Sequence, residues 1–193
     1  MPHVITIAGP NGAGKSTSAP AILRDFLQVD EFVNADVIAQ GLSAFQPEKA
    51  AIQAGRIMLN RIHELAKEKK NFAFETTLAS RSFAPWISHL KQEGYEFHLI
   101  FLCLKKVELA IQRVKERVKA GGHFVPEETV RRRYISGIKN FFNLYRPLAD
   151  SWKIYNNSSL DAFSLIASQN NNENLIIKNK LIWSQILEIR DAK

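Results

Sequence analysis

Residues 9–17 read GPNGAGKST and directly follow a largely apolar run, HVITIA, at 3–8. The stretch fits the phosphate-binding pattern G-x-x-x-x-G-K-[ST], which requires a strand before the loop and a helix after it. The β-branched and apolar residues of 3–8 predict the strand. Apolar residues at helical spacing predict a helix from Lys15 to about Phe26. The sequence therefore predicts a phosphate loop between the first strand and the first helix.

Every residue of this loop is a predicted nucleotide-binding residue, because backbone N–H groups of such a loop turn inward around an anion. The set comprises Gly9, Pro10, Asn11, Gly12, Ala13, Gly14, Lys15, Ser16 and Thr17. We expect Lys15 to face solvent and reach the outer phosphates, Ser16 to ligate Mg²⁺, and Thr17 to contact the inner phosphate. A glycine-rich turn with an exposed lysine is the alternative, which the strand–loop–helix context disfavours.

Length and composition favour one domain over residues 1–193, because 46% hydrophobic residues can build a full core. No run approaches the ~18 apolar residues of a membrane span, and no signal peptide fits an N-terminus that enters a strand at once. Cys103 is the only cysteine, which excludes an internal disulfide and suits a reducing cytoplasm. We interpret Cys103 as a buried small hydrophobe rather than a reactive thiol.

The net charge is +7, from 26 Lys and Arg against 19 Asp and Glu. Much of the excess lies in 113–119 and in Arg131, Arg132 and Arg133, without interleaved aromatic residues. Binding of nucleic acid would also explain a basic balance. The phosphates of a small substrate account for the clustering equally well, so we disfavour nucleic acid as a partner.

The order of elements along the chain alternates between strand and helix, which predicts an α/β fold of the P-loop NTPase type. We expect a parallel sheet with helices on both faces, followed by a C-terminal hairpin within 162–178 and a last helix. Predicted strands span 3–8, 31–34, 72–75, 96–104 and 152–156. Predicted helices span 15–26, 47–69, 82–93, 107–120, 126–145 and 181–189.

The positions of acidic residues at strand ends help to distinguish an enzyme that hydrolyses ATP from one that transfers its phosphate. A hydrolytic ATPase normally has an apolar strand that ends in Asp or Asp-Glu, whereas strand 96–104 runs into Lys105 and Lys106. Asp36 and Glu75 instead follow the second and third strands, whose carboxyl ends share an edge with the phosphate loop. We predict that Asp36 deprotonates an acceptor hydroxyl, with a helix N-cap as the alternative. A Glu75 next to Phe74 requires a partner if it is buried.

Two arginines are candidates for neutralising the charge of the transferred phosphoryl group. Arg113 and Arg117 are four residues apart, so they share one face of a predicted helix. A flexible Gly-Gly step and His123 follow, which is typical of a lid that closes on phosphates. A solvated cationic helix face is the alternative, and His123 is either a phosphate contact or a hydrogen-bonding residue of the lid.

With these residues in place, the chain resembles the zeta toxin family of P-loop kinases over residues 4–150. The resemblance rests on GPNGAGKST (9–17), FVNADVIAQGL (32–42), FETTLASR (74–81), GYEFHLIFL (94–102), RVKERVKAGGHFVPEE (113–128) and RRRYISGIKN (131–140). It implies a kinase that transfers phosphate from ATP to the 3′-hydroxyl of UDP-N-acetylglucosamine and related UDP-amino sugars. It also implies a small helical antitoxin that blocks the nucleotide site.

The resemblance assigns roles to individual residues. Lys15 and Ser16 hold ATP and Mg²⁺, Asp36 is the catalytic base, and Arg113 or Arg117 clamps phosphate. By the same likeness Glu75 and Thr77 help to position the substrate. We also predict that Asp36, Thr76, Arg81 and His123 bind substrate.

The chain departs from the long zeta toxins in the lid, where a second arginine before a Thr-Pro step is replaced by the sequence HFVP at 123–126. The chain is also shorter, so the sugar pocket is expected to be smaller. Two alternatives therefore stay open: a P-loop kinase of another hydroxyl acceptor, such as a nucleoside, sugar or antibiotic, and a nucleotide-binding regulatory module.

Overall fold

The computed structural model describes residues 1–24, 29–159, 163–171 and 173–192. Seven strands form one sheet in these parts of the chain: β1 (His3–Ala8), β2 (Glu31–Val33), β3 (Phe72–Thr76), β4 (Glu96–Cys103), β5 (Ser151–Asn156), β6 (Ser164–Asn170) and β7 (Ile176–Ile177). Their order is β2-β3-β1-β4-β5-β6-β7. The first five are parallel, and β6 and β7 are antiparallel additions at one edge.

The helices and helical turns alternate with the strands along the chain. They are α1 (Lys15–Arg24), α2 (Ala35–Leu42), a 3₁₀ turn (Pro47–Ala50), α3 (Ala51–Lys67), α4 (Phe83–Gln92), α5 (Val107–Lys119), α6 (Glu127–Asn140), a π turn (Phe141–Tyr145), a second 3₁₀ turn (Arg146–Leu148) and α7 (Lys180–Asp191). In β1 and β4 every residue after the first is buried. Successive side chains of a strand point to opposite faces, so both faces of the sheet are covered, as predicted.

Several boundaries differ from the predicted ones. The second strand ends at Val33, because Asn34 is the N-cap of α2, a helix that was not predicted. The predicted helix 126–145 is α6 continued by the π turn. The predicted hairpin is confirmed as β6 and β7, although Ala162 and the turn residue Asn172 lie outside the described residues. Phe26, the predicted end of the first helix, lies outside them as well.

The only cysteine of the chain, Cys103, is buried in the interior. Cys103 is 2% exposed at the end of β4, and burial raises the pKa of its thiol to about 12. The thiol is therefore protonated at neutral pH and unsuited to nucleophilic chemistry. The interpretation of Cys103 as a buried hydrophobe is confirmed. No helix in the described parts of the chain has both the length and the apolar character needed to cross a bilayer.

Helix α6 approaches the end of β3 so closely that one of its positions has no room for a side chain. A Cβ on Gly137 would lie 2.6 Å from the carbonyl oxygen of Thr77, whereas a Cβ on Gly55 in α3 would meet nothing within 4 Å. The two glycines provide a matched pair, because both are in helix interiors.

We expect Gly137→Ala to lower the free energy of unfolding by about 1–3 kcal/mol, because backbone must move. Gly55→Ala should raise it by about 0.5–1 kcal/mol through helix propensity alone. Urea unfolding followed by circular dichroism measures both. Shifts of the same sign in the two variants would contradict the close approach.

Candidate active site

The phosphate loop connects β1 to α1 in the predicted manner. Gly12 and Gly14 have φ angles of +75° and +77°, in the left-handed region that favours glycine. A Cβ on Gly12 would also lie 2.7 Å from the carbonyl oxygen of Ala110, so α5 rests on the loop. Helix α1 begins at Lys15, and its N-terminus points its free N–H groups towards the loop. The loop has the form that binds an anion.

Lys15 is buried, which corrects the prediction that it faces solvent. Its side chain is 7% exposed, with Nζ 3.5 Å from Oε1 of Glu75 and donating to the carbonyl oxygen of Pro10 at 3.1 Å. Burial lowers the pKa of Lys15, and the carboxylates of Glu75 and Asp36 act against that shift. The alternative of an exposed lysine on a glycine-rich turn is therefore wrong.

Glu75 is also bound to the residue that was predicted to ligate Mg²⁺. Its Oε2 accepts from Ser16 Oγ at 2.7 Å and from Asn34 Nδ2 at 2.7 Å, and Asn34 Nδ2 lies 3.1 Å from Ser16 Oγ. The cause is the sheet order: β3 lies beside β1, with Glu75 paired to Ile7. The partner that a buried Glu75 requires is thus Lys15 together with Ser16 and Asn34.

This geometry changes what Glu75 can do. The sequence suggested that the carboxylate of a hydrolytic site was missing, because the strand 96–104 ends in lysines. In the structure β1 has two neighbours, and it is the other one, β3, that brings a carboxylate to Ser16. Glu75 therefore lies beside Ser16, the predicted metal ligand, and its role in substrate binding stays a prediction.

Asp36 is not a helix cap. Oδ1 of Asn34 accepts from the backbone N–H groups of Asp36 at 2.8 Å and Val37 at 3.3 Å, so Asn34 caps α2. The carboxylate of Asp36 is left available in the first turn of α2, where it is 48% exposed and lies 3.7 Å from Nη1 of Arg117. The N-cap alternative for Asp36 is wrong.

The two arginines of α5 have different surroundings. The guanidinium of Arg113 donates to the carbonyl oxygens of Asn157 at 2.7 Å, Ser158 at 3.1 Å and Gly12 at 3.5 Å. It therefore ties the segment after β5 to the phosphate loop, and Asn157 adds a bond from Nδ2 to the carbonyl oxygen of Ala13 at 2.8 Å. The alternative of a solvated helix face is wrong for Arg113.

Arg117 faces the carboxylate of Asp36, and its Nε makes no hydrogen bond to the described residues. Its Nη2 donates to the carbonyl oxygen of His123 at 2.7 Å, and its Nη1 faces Asp36. Arg117 Nε and His123 Nδ1 are buried and have no hydrogen-bond partner among the described residues.

The loop, Asp36 and the arginines line one cleft of about 390 Å³. Its lining comprises Asn11, Gly12, Gly14, Lys15, Ser16, Thr17, Asp36, Val37, Gln40, Glu75, Arg113, Arg117 and His123. Most of the predicted site residues therefore lie together.

Three predicted substrate residues do not line the cleft. The side chains of Thr76 and Thr77 accept from the backbone N–H groups of Leu78 and Ala79, and Arg81 is exposed beyond this turn. Their assignment to the substrate site is not supported by their position.

Arg131 and Arg133, in the basic run 131–133, have different partners. Arg131 pairs with Glu127 and Glu108 on the surface, whereas Nη1 of Arg133 reaches Oδ1 of Asn11 in the phosphate loop at 3.3 Å.

Sequence reasoning missed two asparagines that shape the cleft. Asn34 links Ser16 to Glu75, and Asn157 links β5 to the loop. Both follow parallel strands, so the rule that selected Glu75 applies to them equally.

Comparisons with known proteins agree with this fold. Residues 1–181 match the sequence profile of the family described as Zeta toxin. An uncharacterized protein of Haemophilus influenzae is 36% identical over 132 residues, covering 67% of this chain and 91% of that protein.

Solved structures show the same fold at low identity. A chain of the AvrRxo1-ORF1:AvrRxo1-ORF2 complex with sulphate ions has a TM-score of 0.78 at 14% identity, and with ATP 0.76 at 14%. All of this chain is covered there but only 65% of that one, so it spans less than two thirds of its length. For the PezAT toxin–antitoxin system of Streptococcus pneumoniae the TM-score is 0.65 at 15% identity, covering 100% and 88%.

A gluconokinase from Sinorhizobium meliloti has a TM-score of 0.52 at 15% identity, covering 82% of this chain and 84% of that one. The fold is thus that of P-loop kinases. With its profile match over residues 1–181, the chain belongs to the zeta toxin family.

Proposed function

We propose that the protein is an ATP-dependent kinase that transfers the γ-phosphate to a hydroxyl group of a UDP-amino sugar such as UDP-N-acetylglucosamine. The observation that carries the proposal is the carboxylate of Asp36, which is half exposed and lines the same cleft as Lys15 and Ser16. In the reaction Asp36 accepts the proton of the acceptor hydroxyl, whose oxygen bonds to the γ-phosphorus as ADP leaves.

The residues around Ser16 fit a magnesium ion. Mg²⁺ prefers oxygen ligands and is held in P-loop enzymes by the loop hydroxyl and a carboxylate near it. Ser16 and Glu75 supply both, with Oγ and Oε2 2.7 Å apart. We infer that these two residues would hold the ion, which neutralises phosphate charge when bound, and that Asn34 keeps the Glu75 carboxylate in place.

The positive charge for the transferred group comes from Lys15 and Arg117. Arg117 is 3.7 Å from Asp36, and its Nε has no partner among the described residues. The Arg117 side chain is 35% exposed in the cleft, where its guanidinium can donate to a phosphate oxygen. Arg113 already donates to three carbonyl oxygens, so we assign it to positioning the loop rather than to the phosphoryl group.

The acceptor has space beside the nucleotide cleft. A cavity of about 590 Å³ lies between β2, α2 and α3, and Val37 lines both spaces. Its polar lining includes Asn60, Arg61 and Glu64. A volume of this order suits a ligand of nucleotide-sugar size. Membership of the zeta toxin family supports the UDP-amino sugar as acceptor, and a small helical antitoxin over the nucleotide cleft as partner.

ATP consumption in the presence of a panel of acceptors tests the kinase proposal. We expect UDP-N-acetylglucosamine to stimulate turnover with a phosphorylated sugar as product. Asp36→Asn should reduce transfer by about 10²–10⁴-fold, because the base is lost. ATP affinity should be kept, since the change is nearly isosteric and Asn34 still caps α2.

Glu116→Gln is the matched control, because Glu116 lies on α5 outside the cleft, where it accepts a hydrogen bond from Gln112. If gluconate, nucleosides or antibiotics stimulate turnover and UDP-N-acetylglucosamine does not, the protein is a kinase with a different acceptor. ATP binding without stimulation by any hydroxyl compound would overturn the proposal in favour of a regulatory module.

Alanine variants of the two arginines should differ in kind. Arg117→Ala is expected to lower kcat on the order of 10³-fold, because the positive charge that neutralises the transferred phosphoryl group is lost. Arg113→Ala should raise KM for ATP and lower Tm, because it releases the loop from the segment after β5. Steady-state kinetics and thermal unfolding separate the two, and equal effects on kcat would refute the division of roles.

Glu75→Gln tests the magnesium site. The amide keeps the size of the side chain but removes the negative charge near Ser16 and Lys15. We expect the Mg²⁺ concentration for half-maximal activity to rise at least tenfold, measured by titration at saturating ATP. An unchanged Mg²⁺ requirement would return Glu75 to a structural role.

A further inference from the structure

The amino ends of β1 and β4 carry a cluster of two histidines and a glutamate, at the opposite edge of the sheet from the phosphate loop. His3 pairs with Glu96 across the two strands, and His98 follows Glu96 by two residues on the same face. The His3 and His98 rings are stacked, with centroids 5.2 Å apart. The strand pairing therefore brings three metal-binding side chains together, and none of them lines the nucleotide cleft.

The three atoms that face one another have the spacing of a metal site. Nδ1 of His3 and Nε2 of His98 are 3.0 Å apart, and Oε2 of Glu96 lies 3.6 Å and 3.8 Å from them. Ligands of a tetrahedral zinc ion, with bonds of about 2.0–2.1 Å, are separated by roughly 3.3–3.4 Å. With these three separations, a point about 2.0 Å from all three atoms exists.

A hydrogen bond between the two rings accounts for only part of this arrangement. It explains the 3.0 Å contact between the ring nitrogens. It leaves the Glu96 carboxylate at 3.6 Å and 3.8 Å, which is beyond hydrogen-bond distance from either nitrogen. A central ion brings all three atoms into bonding contact with little movement.

The surroundings hold the ligands in place. Nδ1 of His98 is 2.7 Å from Oγ of Ser151, an outer contact of the kind that orients a ligating histidine. The backbone N–H of His3 donates to Oδ1 of Asn71 at 2.8 Å. The side chains of His3, Glu96 and His98 are only 17%, 30% and 10% exposed.

We propose that His3, Glu96 and His98 bind one divalent transition-metal ion, with zinc as the best fit and water as its fourth ligand. Two imidazoles and a carboxylate suit zinc, cobalt, nickel or copper, whereas Mg²⁺ requires oxygen ligands. The site is distinct from the proposed Ser16–Glu75 magnesium site. Its role is structural, because it links the first strand to β4 at the edge away from the cleft.

The test uses the untagged full chain, stripped with a chelator and titrated with ZnCl₂ alone in a calorimeter. We expect one ion per chain, and a Tm raised by roughly 5–10 °C at a hundredfold excess over Kd. Co²⁺ should give the intense visible absorption of a tetrahedral site. Glu96→Gln and His3→Gln should each weaken Zn²⁺ binding by about 100-fold, because even outer contacts contribute 10–100-fold.

His89→Gln is the matched control, since His89 is an exposed histidine that lies on α4 beside Glu93 and is not part of the cluster. This variant should bind Zn²⁺ as the wild type does. In the presence of chelator, the Tm of every variant should lie within a few degrees of the wild-type Tm. Absence of saturable 1:1 binding would overturn the proposal. So would Zn²⁺ binding that keeps wild-type affinity in both Glu96→Gln and His3→Gln.

Discussion

Burial of the Lys15 ammonium group is the constraint on which the phosphate-loop edge depends. A buried charge is stable only when it is paired and its neighbours are hydrogen-bonded. Glu75 provides the pair, and Ser16 and Asn34 occupy its second oxygen. Lys15 and Ser16 follow β1, Asn34 follows β2 and Glu75 lies in β3. The arrangement therefore depends on the parallel order β2-β3-β1. The strand order brings these four side chains together, and their contacts in turn stabilise that order.

Local features of this fold were predictable and neighbour relations were not. The loop 9–17 carries its own strand and helix context, so its position followed from the sequence. That β3 rather than β4 supplies the carboxylate near Ser16 depends on strand order, which periodicity does not encode. The burial of Lys15 follows from the same relation. The cap of α2 was ambiguous, because Asn34 and Asp36 are both good N-cap residues.

The turn after β3 shows why residues beyond a strand end escape such reasoning. The carboxyl-end rule places Glu75 in the cleft, but one residue later the chain changes direction. Leu78 is buried with φ at +56°, a left-handed conformation that is rare for a non-glycine residue, and its carbonyl oxygen accepts from Asn140 of α6. Thr76 and Thr77 use their hydroxyls inside this turn. The motif 74–81 therefore contributes Glu75 to the candidate cleft and Leu78 to the contact with α6.

Strand β1 joins the two proposed sites, since it begins at His3 and ends at Ala8 before the loop. Six residues of strand span about 20 Å, so a metal at the amino end cannot touch a nucleotide at the other. Any influence must pass along β1 and its pairing with β3 and β4, and the pairing with β4 runs from His3 opposite Glu96 to Ala8 opposite Phe101. That ladder is the interior of the sheet and is buried on both faces. An ion at its amino end would oppose fraying of β1, the strand that leads into the phosphate loop. We therefore expect the amino end of β1 to contribute to the stability of the sheet and its carboxyl end to position the phosphate loop for the reaction.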